Sequence, residues 1–165
     1  MRKSSADIID RKTREYLSES GFIVGKTQYW QATPFSKVRP GVRIDLFRCF
    51  DYLCIPCVRD GKVGAFDMPI LAVQSTVADR VADHRKKALD AAYVVRGHLY
   101  YVIDQWLMSG NRFEILAWRQ KAKGCAWKLT RWVARLNPLG DPRVSFEKRG
   151  SDYEGNPRFT GSSQG

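Results

Sequence analysis

Apolar positions along this chain change their period several times, and each change marks an element. Over residues 7 to 20, Ile8, Ile9, Lys12, Tyr16 and Leu17 mark one face at helical spacing, and Ser20-Gly21 stops the helix. Phe22 to Trp30 reads as a strand, and residues 31 to 42, with Pro34, Pro40 and Gly41, as a loop. A second strand is predicted over residues 43 to 57, followed by a turn at Asp60-Gly61-Lys62 and a loop or short hairpin arm over 61 to 69. Residues 70 to 76 are apolar enough for a fully buried strand. From 78 to 108, Val81, Arg85, Leu89, Ala92, Val95, Leu99, Ile103 and Trp106 fall near the helical period, which predicts helix throughout, with a division at Gly97. Residues 112 to 119 and 126 to 136 alternate as strands. The order predicts an α/β domain over residues 7 to 136, with a single mixed central β-sheet flanked by helices. Gly, Pro and Ser dominate residues 137 to 165, which read as a flexible basic tail.

Polar groups interrupt two of these strands. Asp51 opens the most apolar part of one, Asp51-Tyr52-Leu53-Cys54-Ile55, and Gln74 and Thr76 close the other. Side chains alternate across a strand, so Gln74 and Thr76 share a face. If the two strands pair, Asp51 sits beside Gln74. A polar cluster on a rigid sheet is how metal-dependent hydrolases hold their ligands. The plainer alternative is a hydrogen-bonded cap acid and a hydrogen-bonded strand end.

Charge adds a partner. The chain has 28 Lys and Arg against 17 Asp and Glu, a formal net charge of +11. That excess favours a polyanion, and nucleic acid is the commonest one. Basic residues alternate with Tyr29, Trp30, Trp118, Trp127 and Trp132, a pattern that suits phosphate contact with base stacking and equally suits half-buried strands. The four cysteines offer one isolated pair, Cys54-Ile55-Pro56-Cys57, without the further ligands a zinc site requires, and read as buried thiols. No apolar run is long enough for a membrane span, and the basic N-terminus has no apolar secretory core, so a cytoplasmic protein is expected.

The order of these pieces resembles the PD-(D/E)XK nuclease superfamily, whose fold is restriction-endonuclease-like. The chain is most similar to small phage and bacterial members related to the archaeal-type Holliday junction resolvases. The resemblance spans about residues 8 to 136 and rests on Arg14-Glu15-Tyr16-Leu17, Arg43-Ile44-Asp45-Leu46-Phe47 with Phe50-Asp51-Tyr52-Leu53, Val73-Gln74-Ser75-Thr76, and His84-Arg85-Lys86-Lys87. It implies an endonuclease acting on DNA, including branched DNA, with Mg²⁺ or Mn²⁺ as cofactor. Asp51 becomes the principal ligand, Gln74 an amide ligand and Ser75 a carbonyl ligand. Thr76 orients a water, Glu15 holds a metal-bound water unless it is simply a solvated helix residue, and Asp45 is the second-choice carboxylate. Arg43, Arg85, Lys86 and Lys87 become DNA contacts. The usual glutamate and lysine of the family are Gln74 and Thr76 here, so a catalytically silent DNA-binding module of the same fold is the alternative, and an RNA-directed nuclease a third reading. A homodimer follows by the same resemblance, with residues 99 to 107 as interface or as core.

Overall fold

The computed structural model describes residues 4–27, 29–31, 42–44, 46–57, 69–122 and 124–154. Helix α1, Ser5–Glu19, begins at a capping box: Ser4 and Asp7 exchange hydrogen bonds, which satisfies two donors of the first turn. Strands β1 (Phe22–Lys26), β2 (Tyr29–Gln31), β3 (Val42–Ile44), β4 (Tyr52–Pro56) and β5 (Leu71–Val77) follow. A short 3₁₀ turn, Ala78–Arg80, leads into α2 (Val81–Asp90). Next come β6 (Ala92–Val95), β7 (His98–Tyr101), α3 (Val102–Met108), β8 (Arg112–Gln120), β9 (Trp127–Leu136) and β10 (Val144–Glu154).

Six strands form the central sheet in the order β1-β4-β5-β8-β9-β10. The β5–β8 pair is parallel and every other neighbour is antiparallel. A parallel pair needs a crossover, and α2 and α3 lie on that connection. Apolar side chains fill both faces. One face packs Ile9 and Leu17 of α1 against Tyr52, Cys54, Leu71, Val73 and Trp118. The other packs Ala88 and Ile103 of the crossover helices against Phe50, Ala72, Phe113 and Ile115. Thus β5 is covered twice, which is why Leu71 to Val73 reads as an unbroken apolar run. The two faces alternate along β5, with Leu71 and Val73 toward α1 and Ala72 toward α2.

Three expectations need correcting. The helix predicted over 78–108 is two helices separated by the β6–β7 hairpin. Arg96 and Gly97 take φ of 50° and 81° at its tip, as a tight hairpin turn requires, and the flanking Tyr93-Val94-Val95 and Leu99-Tyr100-Tyr101 prefer strand. The apolar stretch 99–107 accordingly divides, with Leu99 exposed on the hairpin and Ile103 buried in the core. The strand predicted over 43–57 breaks at a turn. Phe47 and Arg48 both have positive φ, Leu46 bridges back to Phe50, and β4 starts two residues later. Residues 144–154 of the expected tail form β10, paired with β9 from Val144 opposite Leu136 to Glu154 opposite Lys128. Val144 is buried and Phe146 packs on Phe113, so this edge strand completes one face of the core. The loop 31–42 (apart from Gln31 and Val42, which the structure places in strands), the Asp60-Gly61-Lys62 turn and residues 155–165 lie outside the described residues.

Candidate functional site

A cleft of about 460 Å³ opens at the C-terminal end of β5. Three structural facts create it. The β4–β5 ladder ends at Tyr52 opposite Val73, so β5 runs on unpaired along this edge. The chain enters β4 from a tight turn that buries Phe50 completely and leaves Asp51 at the strand's mouth. Finally, the first turns of α1 lie across the opening, where Ser5, Asp7 and Asp10 line it.

Asp51 is almost buried, at 8% exposure. Its backbone is held from two sides. Its N–H donates to the Val73 carbonyl at 2.9 Å, and its carbonyl accepts from Thr27 N–H at 2.9 Å. Thr27 also donates its hydroxyl to the Phe50 carbonyl. The carboxylate Oδ2 accepts the Ser75 backbone N–H at 2.7 Å. That donor lies beyond the last β4–β5 pair, so the side chain replaces a missing ladder partner. Asp51 is therefore a cap for the end of β5 and, through the same position, a carboxylate fixed on the cleft.

Asp51, Ser75 and Thr76 all line the cleft. The Ser75 hydroxyl lies 2.6 Å from Thr13 Oγ1, which accepts the Trp118 indole N–H at 2.9 Å, and this chain locks α1 to β5. Gln74 points the other way, toward the α2 face shared with Ala72, and is completely buried. Continuing the register by one residue beyond Tyr52–Val73 sets Gln74 opposite Asp51. Among the described residues neither its amide oxygen nor its amide nitrogen has a hydrogen-bond partner. A buried acid on the neighbouring strand is treated differently: Glu114 accepts from Arg131 at two oxygens and from Arg112. A buried amide with no partner costs about 1–3 kcal/mol, so Gln74 is placed against its own stability.

Other predicted residues fall elsewhere. Glu15 does not reach the cleft: α1 turns Ile9, Thr13 and Leu17 inward, and Glu15 stands half-exposed beside Arg11 at 3.7 Å. Arg85 is half-buried, its guanidinium 5.2 Å from the Trp132 ring and 5.3 Å from the Phe146 ring, so it ties α2 to the far strands. Lys86 and Lys87 are exposed on α2. Arg43 belongs to β3 by its backbone, and Asp45 lies outside the described residues. Of the cysteines, Cys49 and Cys54 are buried as expected, and burial pushes the Cys54 thiol up to about 12. Cys57 and Cys125 are exposed free thiols, because Cys57 follows β4 and Cys125 sits in the β8–β9 turn.

Residues not anticipated from sequence join the same cleft. Asp10, Lys26, Tyr52 and Arg80 line it, with His84 from α2. Lys26 and the Tyr52 hydroxyl both donate to Asp10 Oδ1 at 2.5 Å. Burial and the neighbouring Asp10 push the Tyr52 phenol far above its ordinary value, so it remains a donor.

Oxygen dominates this donor set, which suits a hard divalent cation. Among the described residues no three His, Cys, Asp or Glu side chains cluster as a ready-made metal group, so an ion here would rely on hydroxyl and carbonyl oxygens around Asp51. No protein-family model, curated protein or solved structure matches the chain. Among the described residues no helix is long and apolar enough to cross a membrane.

Proposed function

We propose that the protein is a metal-dependent endonuclease that hydrolyses phosphodiester bonds in DNA, branched DNA included. The observation that carries this reading is the end of β5: a carboxylate fixed at Asp51 on the cleft with Ser75 and Thr76, and next to them in the strand a buried, unpartnered amide at Gln74, turned to the other face. A buried amide without a protein partner calls for an explanation, and a role as ligand to an ion provides one. The sheet path β1-β4-β5-β8, with α1 before it and α2 on its parallel crossover, is also consistent with the nuclease fold that the sequence resembles.

On the cleft, Asp51 and the Ser75 carbonyl would hold magnesium, which prefers oxygen ligands, and Gln74 would join them only by turning its amide from the α2 face toward Asp51. When bound, it supplies an activated water and neutralises charge on the phosphate. The chain's own part is positional. Asp51 is clamped by Val73, Thr27 and Ser75, so its carboxylate needs no reorganisation. Hydrolysis joins the water oxygen to phosphorus and breaks one P–O bond; the water proton passes to solvent and the leaving oxygen gains one. The net charge of +11 draws a polyanion to the protein.

One observation favours a second reading. Gln74 and Thr76 carry no charge, which suits a silent module that binds DNA without cutting it. The deciding assay uses linear, nicked, flap and four-way DNA with Mg²⁺, Mn²⁺ or chelator. Asp51→Asn is the informative variant, because its amide oxygen still accepts the Ser75 N–H while the charge is lost. We expect the fold to persist and metal-dependent cleavage to fall at least about 100-fold, as loss of several kcal/mol of charge stabilisation implies. Equal cutting by Asp51→Asn and wild type would refute the site. Tight binding by both with no cutting by either would favour the silent module.

A further inference from the structure

One wall of the cleft is built from groups to which the preceding reading gives no task. Asp10 gathers three partners. Lys26 Nζ and the Tyr52 hydroxyl reach one carboxylate oxygen, and the Arg14 guanidinium lies 2.9 Å from the other. Burial pushes the Asp10 carboxyl up, but the hydrogen bonds from Lys26 and Tyr52 and the charges of Lys26 and Arg14 outweigh it and hold the group below its ordinary value. Asp10 is thus an anion wherever the protein works. It sits between two cations, of which Lys26 lines the cleft and Arg14 lies behind it.

Its placement matters more than its strength. Lys26 faces Tyr52 across the β1–β4 pairing, and Tyr52 follows Asp51 directly. Lys26, Tyr52, Asp51 and Thr76 therefore share one opening. Lys26 remains 35% exposed by its side chain, so an entering anion can reach it. As an element of stability the ion pair is weak, since solvent screens partly exposed pairs. Docking of α1 rests instead on Ile9, Leu17 and the Ser75–Thr13–Trp118 hydrogen-bond chain. What Asp10 achieves is to fix the end of a flexible four-carbon side chain at the mouth of the cleft.

Phosphodiester hydrolysis builds negative charge on the phosphate oxygens, and preorganised cations stabilise it. Asp51, Gln74 and Thr76 supply none; Lys26 and Arg80 both line the cleft, and of the two Lys26 is held in place, by its ion pair with Asp10, while Arg80 is exposed. We infer that Lys26 is the cation that meets the phosphate in this cleft, and that Asp10 is a positioning residue that holds it there, itself fixed by Tyr52. The inference rests on the nuclease reading and assigns that site its phosphate contact. Lys26 contributes charge only, with no proton transferred from it.

The test compares wild type, Lys26→Met, Lys26→Arg and Asp10→Asn, with Asp51→Asn as the inactive reference. Cleavage is measured with saturating Mg²⁺, and DNA affinity across a salt series with chelator present. Lys26→Met should lower kcat about 10²–10³-fold, the usual effect of removing one such stabilising group. It should also reduce the slope of log Kd against log salt by about 0.9, one phosphate contact on duplex DNA. Lys26→Arg should restore the salt slope and part of kcat. Asp10→Asn removes a negative charge while releasing Lys26, so it should tighten binding and lower kcat together, a split that mere destabilisation does not give. A Lys26→Met protein with kcat within about threefold of wild type and an unchanged salt slope would overturn the assignment. Should wild type cut no better than Asp51→Asn, the nuclease reading falls, and the salt slope of Lys26→Met still decides the phosphate contact.

Discussion

Gln74→Met separates stability from activity at the heart of the site. Methionine matches glutamine in length, has no atoms that demand hydrogen bonds, and adapts to an irregular space. Among the described residues, wild type keeps both amide atoms of a completely buried side chain unpaired. Removing that penalty is worth about 1–3 kcal/mol. Repacking a side chain of similar volume takes back part of it, up to about 1.5 kcal/mol. The expected net effect without metal is a gain of about 1 kcal/mol, or roughly 2–4 °C in Tm for a domain of this size. Urea unfolding in chelator measures it, and an unchanged m-value would show that the two-state comparison is sound. Adding Mg²⁺ should stabilise wild type by mass action and leave Gln74→Met unmoved. Cleavage by the variant should be abolished. Gln74→Glu should do the reverse, less stable in chelator because a carboxylate is buried, and more strongly stabilised by Mg²⁺. A Gln74→Met protein that unfolds at lower urea than wild type in chelator, or that cuts as fast, would refute the argument that this amide waits for an ion.

Two further outcomes follow from the surface and from the edge of the sheet. Replacing Lys86 and Lys87 on the exposed side of α2 by Ala should weaken DNA binding alike for all sequences and reduce the salt slope by up to about 0.9 for each phosphate no longer neutralised; an unchanged slope would remove α2 from the interface. Truncation after Asn137 deletes β10, with buried Val144 and the Phe146–Phe113 pair, and bares the edge of β9. At about 1.5–3 kcal/mol for each large apolar side chain, the melting temperature should collapse, and a truncated chain as stable as the whole would show that β10 adds nothing.

Much of the fold was legible because local pattern and final environment agree. Residues 70–76 read as a buried strand and β5 occupies 71–77, covered on both faces. The hairpin was hidden by coincidence. Val81, Arg85, Leu89, Ala92 and Val95 keep a helical period, yet Tyr93 to Tyr101 is two β-preferring runs around Arg96-Gly97, and that turn signal outweighs the period. Composition hid β10. Averaged over residues 137–165 the segment is rich in Gly, Pro and charge, but Val144 and Phe146 alternate correctly to reach one face. A strand pairing with an already formed neighbour needs fewer apolar groups than an isolated one, because the β9 backbone supplies its hydrogen bonds.

The site was legible along the sheet and illegible across it. Asp51, Ser75 and Thr76 could be set at one strand end because alternation and one pairing decide their positions, whereas Gln74 is turned to the other face of β5. The acid that α1 contributes depends on how the helix is rolled. With Ile9, Thr13 and Leu17 turned inward, Glu15 lies about 160° from the centre of that stripe, while Asp10 lies about 60° from it, on its border. A border position is where a carboxylate can keep one oxygen against the sheet and still be reached by solvent. Asp10 accordingly meets Lys26 and Tyr52, 16 and 42 residues away in sequence, through a contact that no short motif encodes. The positive charge proposed for Lys26 has the same origin. A lysine two residues after Gln74 would have been read from β5 itself, whereas Lys26 comes from the sheet's edge strand and enters the cleft only because β1 pairs with β4 in this register. Sequence motifs record chemistry carried by one strand; chemistry shared between a helix face and two strands is visible only when the register and the helix roll are both known.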